Sequence, residues 1–204
     1  MHILYSCVCP KLVVLHDNMN DETTIHRPEQ YHKLIVGTTF IAIYQPEDFE
    51  QRKAYYHAKR PTNYVFKIQI ACDFHHRVVH VSKGYPGSEH NITILRESGL
   101  LEQTQEDVQI TADKGYIGEQ YVIIPRKKPH GGELTAEDKD FNRSICRARA
   151  AIGNIKQYLK NYAILGSVYR GPYDDIGKIT TIAHVVSALC NFQLCKHPIR
   201  NRRS

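Results

Sequence analysis

Leu34-Ile35-Val36-Gly37-Thr38-Thr39-Phe40-Ile41-Ala42-Ile43-Tyr44, closed by Pro46, is the segment on which the fold turns. β-Branched and aromatic residues dominate it, and a proline ends it, so the pattern predicts a strand. Gly37 lies in its interior. A glycine there marks a bulge or a close approach of other groups to the backbone. Upstream, residues 1–32 show no period and include the polar run Asp17-Asn18-Met19-Asn20-Asp21-Glu22, which predicts a poorly ordered or atypical N-terminal segment.

Downstream, residues 47–60 read as loop or short helix. Residues 64–72 and 77–82 read as two strands joined by Asp73-Phe74-His75-His76, most simply an antiparallel hairpin. Ser88 is placed to cap a helix over 89–101. Short apolar strands follow at 108–111, ending at Asp113, and at 122–125. Thr135 with Asp138 three residues on resembles a capping box. Phe141, Ile145, Ala148, Ile152, Ile155, Leu159 and Tyr162 then form one apolar stripe on a long helix. A last helix over about 176–195 is expected to turn Ile179, Ile182, Val186, Leu189 and Phe192 inward. Strand, hairpin, helix, two strands and two helices predict an α/β sandwich with a mixed sheet and helices on both faces. The ribonuclease H-like fold has this order. The folded domain is expected over 33–198, with a basic tail at 199–204.

The chain has 204 residues, 42% of them hydrophobic and 24% charged, which suits one globular domain. No apolar run approaches the ~20 residues that span a membrane, and the short apolar start lacks the basic region of a signal peptide. An intracellular location, nuclear or cytoplasmic, is therefore expected. The six cysteines include no Cys-x-x-Cys pair. Cys72, Cys146 and Cys190 are expected in core positions as reduced thiols. A zinc site from Cys7, Cys9 and His16 fits no usual ligand spacing. The net charge of +6 permits nucleic-acid binding without establishing it. Basic residues cluster at Lys59-Arg60, at Arg126-Lys127-Lys128, at Arg143, Arg147 and Arg149, at Lys156 and Lys160, and at Arg200, Arg202 and Arg203. Each alone reads as solvated surface; together they raise the case for a phosphate-facing one.

Several segments in order carry a family resemblance. They are Val36-Gly37-Thr38-Thr39 with its trailing Pro46, Ala54-Tyr55-Tyr56-His57-Ala58-Lys59-Arg60, and Gly84-Tyr85-Pro86-Gly87-Ser88-Glu89-His90-Asn91 with Ile94 to Leu100. Ala112-Asp113-Lys114-Gly115-Tyr116, Pro125-Arg126-Lys127-Lys128-Pro129, Phe141-Asn142-Arg143 and Leu159-Lys160-Asn161-Tyr162-Ala163-Ile164-Leu165 complete the set. Residues 34–198 resemble the DDE superfamily nuclease domain of Harbinger-type and related bacterial insertion-sequence transposases. The resemblance implies two-metal phosphoryl transfer on DNA, with Mg2+ or Mn2+ held between three carboxylates.

Aligned on these motifs, only Asp113 keeps a triad acid, and it is the candidate catalytic and metal-binding residue. Gly37 and Gly153 occupy the other two triad positions, and Asn91 stands where the loop motif has an acid. Nuclease activity is therefore expected to be impaired and metal binding weak or lost. Asp113 also reads as a turn residue that ends its strand, and Gly153 costs a helix about 1 kcal/mol relative to Ala. Asp73, Asp107 and Glu119 are other carboxylates near these motifs, with no spacing that recommends them. Arg149, Lys156 and Lys160 lie at i−4, i+3 and i+7 from Gly153, a basic stripe on one face. With Arg126, Lys127 and Lys128 they are the candidate nucleic-acid contacts; an ordinary solvated face is the alternative. The resemblance makes DNA the expected partner. Because the family usually carries a DNA-binding region before this domain, a partner protein supplying recognition is also expected. Three readings stay open: an active metal nuclease, a non-catalytic nucleic-acid-binding or protein-interaction module, and a decayed element without selected function.

Overall fold

His32–Ala42 forms β1, the central strand, and its alternation separates two cores. The computed structural model describes residues 6, 13, 32–58, 63–104 and 108–197, with only the backbone at 32 and 33. Ile35 and Ile41 point to one face and Leu34 and Val36 to the other, as the two-residue period of a strand requires.

After β1 come helix α1 (Phe49–Tyr55), strands β2 (Val65–Cys72), β3 (Val78–Val81) and β4 (Tyr85–Pro86), and helices α2 (Asn91–Glu97) and α3 (Leu100–Gln103). Then follow β5 (Gln109–Thr111), a 3-10 turn over Lys114–Tyr116, β6 (Val122–Ile123), and helices α4 (Ala136–Asn161), α5 (Ala163–Gly166) and α6 (Ile176–Lys196). The six-stranded sheet runs β3-β2-β1-β5-β6, with β4 paired to β2. β1 is antiparallel to β2 and parallel to β5, and β2 and β3 form the expected antiparallel hairpin. The sheet is mixed, as the order of elements predicts.

One face of the sheet carries Ile35, Ile41, Phe66, Ile68 and Ile70 and packs against α4 and α6. The opposite face carries Leu34, Val36 and Ala71 and packs against Leu95 and Leu100 of α2 and α3. α4 begins at the expected capping box: Thr135 Oγ1 accepts from Asp138 N at 3.1 Å, and Asp138 Oδ2 accepts from Thr135 N at 3.4 Å. Its stripe buries Ile145, Ala148, Ile152, Ile155 and Leu159.

Three expectations are corrected. The helix assigned to 89–101 starts at Asn91, and His90, not Ser88, is its N-cap residue. Ser88 N donates to Ala54 O at 2.9 Å, which holds that loop against the end of α1. Gly99, at φ 75°, then splits the segment into α2 and α3. Leu189 and Phe192 are exposed on α6, while Ile179, Ala183, Val186, Cys190 and Leu194 face in. Two successive three-residue steps from Val186 to Phe192 leave the inward line by roughly 120° at 3.6 residues per turn. Cys146 is exposed, because Ile145 and Ala148 hold the buried face of its turn; Cys72 and Cys190 are buried as expected.

Candidate functional site

β5 pairs with β1 only as far as Ile35↔Thr111, whereas β1 continues to Ala42. The next neighbour on that edge among the described residues is Tyr169, bridged to Ile43. The gap between them opens a cleft reached from both faces of the sheet. Extending the register by two residues sets Asp113, just past the carboxyl end of β5, beside Gly37 in the middle of β1.

The turn after β5 is fixed from below. Tyr116 is fully buried; its hydroxyl is 3.0 Å from Thr38 Oγ1 and accepts from Gln69 Nε2 at 3.2 Å. Gln69 Nε2 also reaches Asn91 O at 3.3 Å, so β1, β2, α2 and the Asp113 turn share one buried network. Burial raises the Tyr116 phenol well above its usual range, which keeps it neutral. Asp113 Oδ1 accepts from Gly115 N at 2.8 Å, so the carboxylate does cap the turn. A Cβ on Gly115 would stand 2.9 Å from both Asn91 Nδ2 and Asp113 Oδ1, which explains the glycine there.

α4 crosses this edge with its basic stripe. Arg149 Nη2 lies 3.7 Å from Asp113 Oδ2. A Cβ built on Gly37 would stand 2.5 Å from Lys156 Nζ, 2.8 Å from its Cε and 3.1 Å from Ile152 Cγ1. The ladder runs through Gly37↔Ile70 without a shift, so the glycine marks a close side-chain approach and not a bulge. Gly153 lies on the same helix between Arg149 and Lys156, is exposed, and a Cβ there would meet nothing within 4 Å.

Two cavities meet in the cleft, of about 530 and 740 Å3, sharing Phe40, Asn91 and Asp113. Lys156 and Lys160 line the first. Lys67, Lys114 and Arg149 line the second. Among the described residues, five cations thus face one carboxylate, a formal surplus of four. Lys67 and Phe40 lacked any sequence motif. Lys67 is 6% exposed, its Nζ donates to Glu89 O at 2.6 Å, and burial lowers its pKa, with Glu89 opposing that shift. The only signal in the sequence was a lysine and a glutamine, Lys67 and Gln69, alternating inside an apolar strand.

Among the described residues, the remaining candidates do not themselves line either cavity. Arg126 pairs with Asp138 at 2.7 Å and stacks over Phe141 at 4.4 Å, and Asn142 holds its backbone; Lys127 and Lys128 are exposed beside it. Asp73 is spent on the hairpin turn, accepting from His75 N, Arg77 N and the Arg77 side chain, and Glu119 pairs with Arg96. Asp107, Lys59, Arg60, Arg200, Arg202, Arg203 and the Cys7, Cys9 and His16 group lie outside the described residues.

Divalent ions of the kind DDE enzymes use want several carboxylate oxygens. Among the described residues no group of three His, Cys, Asp or Glu side chains converges to hold one. Asp113 is shared between a backbone amide and a guanidinium, so the donor set does not fit a two-metal centre.

Over 112 residues, 53% of its length, the chain is 29% identical to the "Probable transposase for insertion sequence element IS702" of Microchaete diplosiphon. That match spans 39% of the relative's length. No solved structure matches. The DDE superfamily endonuclease family matches residues 36–191, the whole sheet beyond the first four residues of β1 together with α4 and most of α6. The chain therefore belongs to the DDE superfamily endonucleases.

Proposed function

We propose that this transposase-derived, Harbinger-type domain binds the phosphate backbone of nucleic acid in the cleft at the β1 edge and does not cut it. The observation that carries the reading is the position of Lys156: its ammonium fills the space that a side chain at residue 37 would take. Arg149 Nη2 stands 3.7 Å from Asp113 Oδ2. A cation thus stands at position 37, where the ancestral chemistry needs a carboxylate that holds cations. Phosphate oxygens are bound by Lys and Arg without any metal, by charge and hydrogen bonds. Cleavage by two metals needs acids that Gly37, Gly153 and Asn91 cannot supply. Mg2+ or Mn2+ affinity is accordingly weak or lost. DNA is the expected partner, with end recognition left to another protein, in the nucleus or cytoplasm.

The test is a fluorescence-anisotropy titration of a labelled DNA duplex at two salt concentrations, with plasmid nicking assayed in parallel. Replacing Arg149, Lys156 and Lys160 together by Gln should flatten the slope of log affinity against log salt by about 2.7, near 0.9 for each lost phosphate contact. Binding unchanged by the triple substitution, or metal-dependent nicking by the unmodified protein, would overturn the reading.

A further inference from the structure

The cleft contains more than charge. Phe40 lines both cavities, and its ring lies 4.7 Å from that of His57, tilted by 59°, with Lys67 Nζ 5.9 Å from its centroid. Phe40 is half-buried on the open edge of β1, just where no strand covers it among the described residues. Around it, the first cavity is lined by the amides Asn91, Gln157 and Asn161 as well as by Lys156 and Lys160. Amides are the side chains that hydrogen-bond base edges. An aromatic ring is a platform for a base, and cations flanking it track the backbone that carries the base.

A duplex can set its phosphates against the cations but cannot use the ring. Its bases are stacked on one another, so a recessed ring meets no π-face unless a nucleotide leaves the stack. The cavities, each within the roughly 300–1,000 Å3 of small-ligand pockets, suit individual nucleotides and not a whole helix. We infer that the cleft takes single-stranded nucleic acid, with an unpaired base against Phe40, its edge toward the amides, and its phosphates on the lysines and Arg149. The inference rests on the phosphate-binding reading above and adds the state of the strand.

The experiment uses the full chain and labelled probes of about 15 nucleotides, a length near the upper site size of small single-strand binders: oligo-dT, oligo-U and a blunt DNA duplex, at one salt concentration. Both single strands, or one of them, should bind more tightly than the duplex; the dT and U arms say whether DNA or RNA is preferred. Phe40→Ala should weaken the preferred single strand by about 5- to 150-fold, the value of one stacked base, and change duplex binding by no more than about twofold. Phe40→Leu keeps apolar volume without a ring and should lose the same affinity, which separates stacking from misfolding; Phe40→Tyr should retain it. Equal binding of strand and duplex, or a Phe40→Leu protein that binds the single strand normally, overturns this inference. The Arg149, Lys156 and Lys160 triple Gln variant reports on the underlying reading. If it still loses binding to every probe, phosphate binding stands and only the single-strand assignment falls; if it loses none, both fall.

Discussion

Restoring acids at 37 and 153 should open a dication site only when Lys156 is removed as well. The steric demands of the two positions differ. A glutamate at 153 enters open space, whereas an aspartate at 37 must displace the end of Lys156, 2.5 Å from its Cβ, or pair with it. An ammonium left about 4 Å from an incoming Mn2+ repels it by about 2 kcal/mol at the dielectric of water and about 8 kcal/mol at an effective value of 20. Even the smaller figure is about thirtyfold in Kd. Calorimetric titration of Mn2+ should therefore show millimolar or weaker binding by the unmodified protein and little gain for Gly37→Asp with Gly153→Glu. Adding Lys156→Gln should tighten binding at least about thirtyfold over that double variant. A double variant that binds as well as the triple would show that Lys156 does not guard the site. Micromolar Mn2+ binding by the unmodified protein, abolished by Asp113→Ala, would refute the loss of the metal centre altogether.

Other outcomes follow from local physics. Gly153→Ala should stabilise the fold by about 1 kcal/mol, because an exposed helical glycine gains propensity and the new methyl meets nothing; melting temperature should rise roughly 2–4 °C. Gly37→Ala should show no such gain in the same thermal melts, since its methyl meets Lys156 and Ile152. His80 is buried with its pKa pushed down to about 4, by desolvation against a hydrogen bond to Ser98 O. It stays neutral in the folded protein while the unfolded chain takes up its proton near pH 6.5, so stability is full above about pH 6.5 and is lost as pH falls toward 4. The loss is about 3 kcal/mol at most, and melts across that window should be flatter for His80→Gln.

The strands and long helices were legible because their signals are local: β-branched runs, a capping box at Thr135, and an apolar stripe from Ile145 to Leu159. Ser88 misled because it lies inside a turn, closed by Glu89 N donating to Pro86 O and held by Ala54 O far away in sequence, so the helix starts later. Leu189 and Phe192 misled because three-residue steps mimic a stripe over one turn and drift off it over two. Within the site, Gly37 and Gly153 were matched to the family's acid positions by motif alone, and the grouping of Arg149, Lys156 and Lys160 was legible from helical spacing. What Lys156 touches was not. That contact joins β1 to α4 across more than a hundred residues, and it is what separates a cleft with two acids missing from one occupied by cations. Phe40 was hidden for a similar reason: a phenylalanine in a strand looks like core until the short β5 leaves its edge uncovered.

The loss of acid and the presence of base act in the same electrostatic direction. Among the described residues, carboxylates at 37 and 153 would set three acids against the cleft's five cations; with glycine, the five face Asp113 alone, and Arg149 lies beside it. Two dications bring four positive charges into that surplus, and the one remaining carboxylate cannot replace their hydration. A phosphodiester brings negative charge and is favoured by the same change. Catalysis and binding thus respond oppositely to the same substitutions: each acid removed weakens the metal centre, and each also deepens the positive potential that holds a strand. Restoration is harder than loss for the same reason. The acids act as a unit and must return together, against a lysine that has taken the space of the one at 37 and an arginine already paired with Asp113. On the proposed reading, a cleft that has stopped cutting can therefore keep, and on these charges strengthen, a hold on nucleic acid.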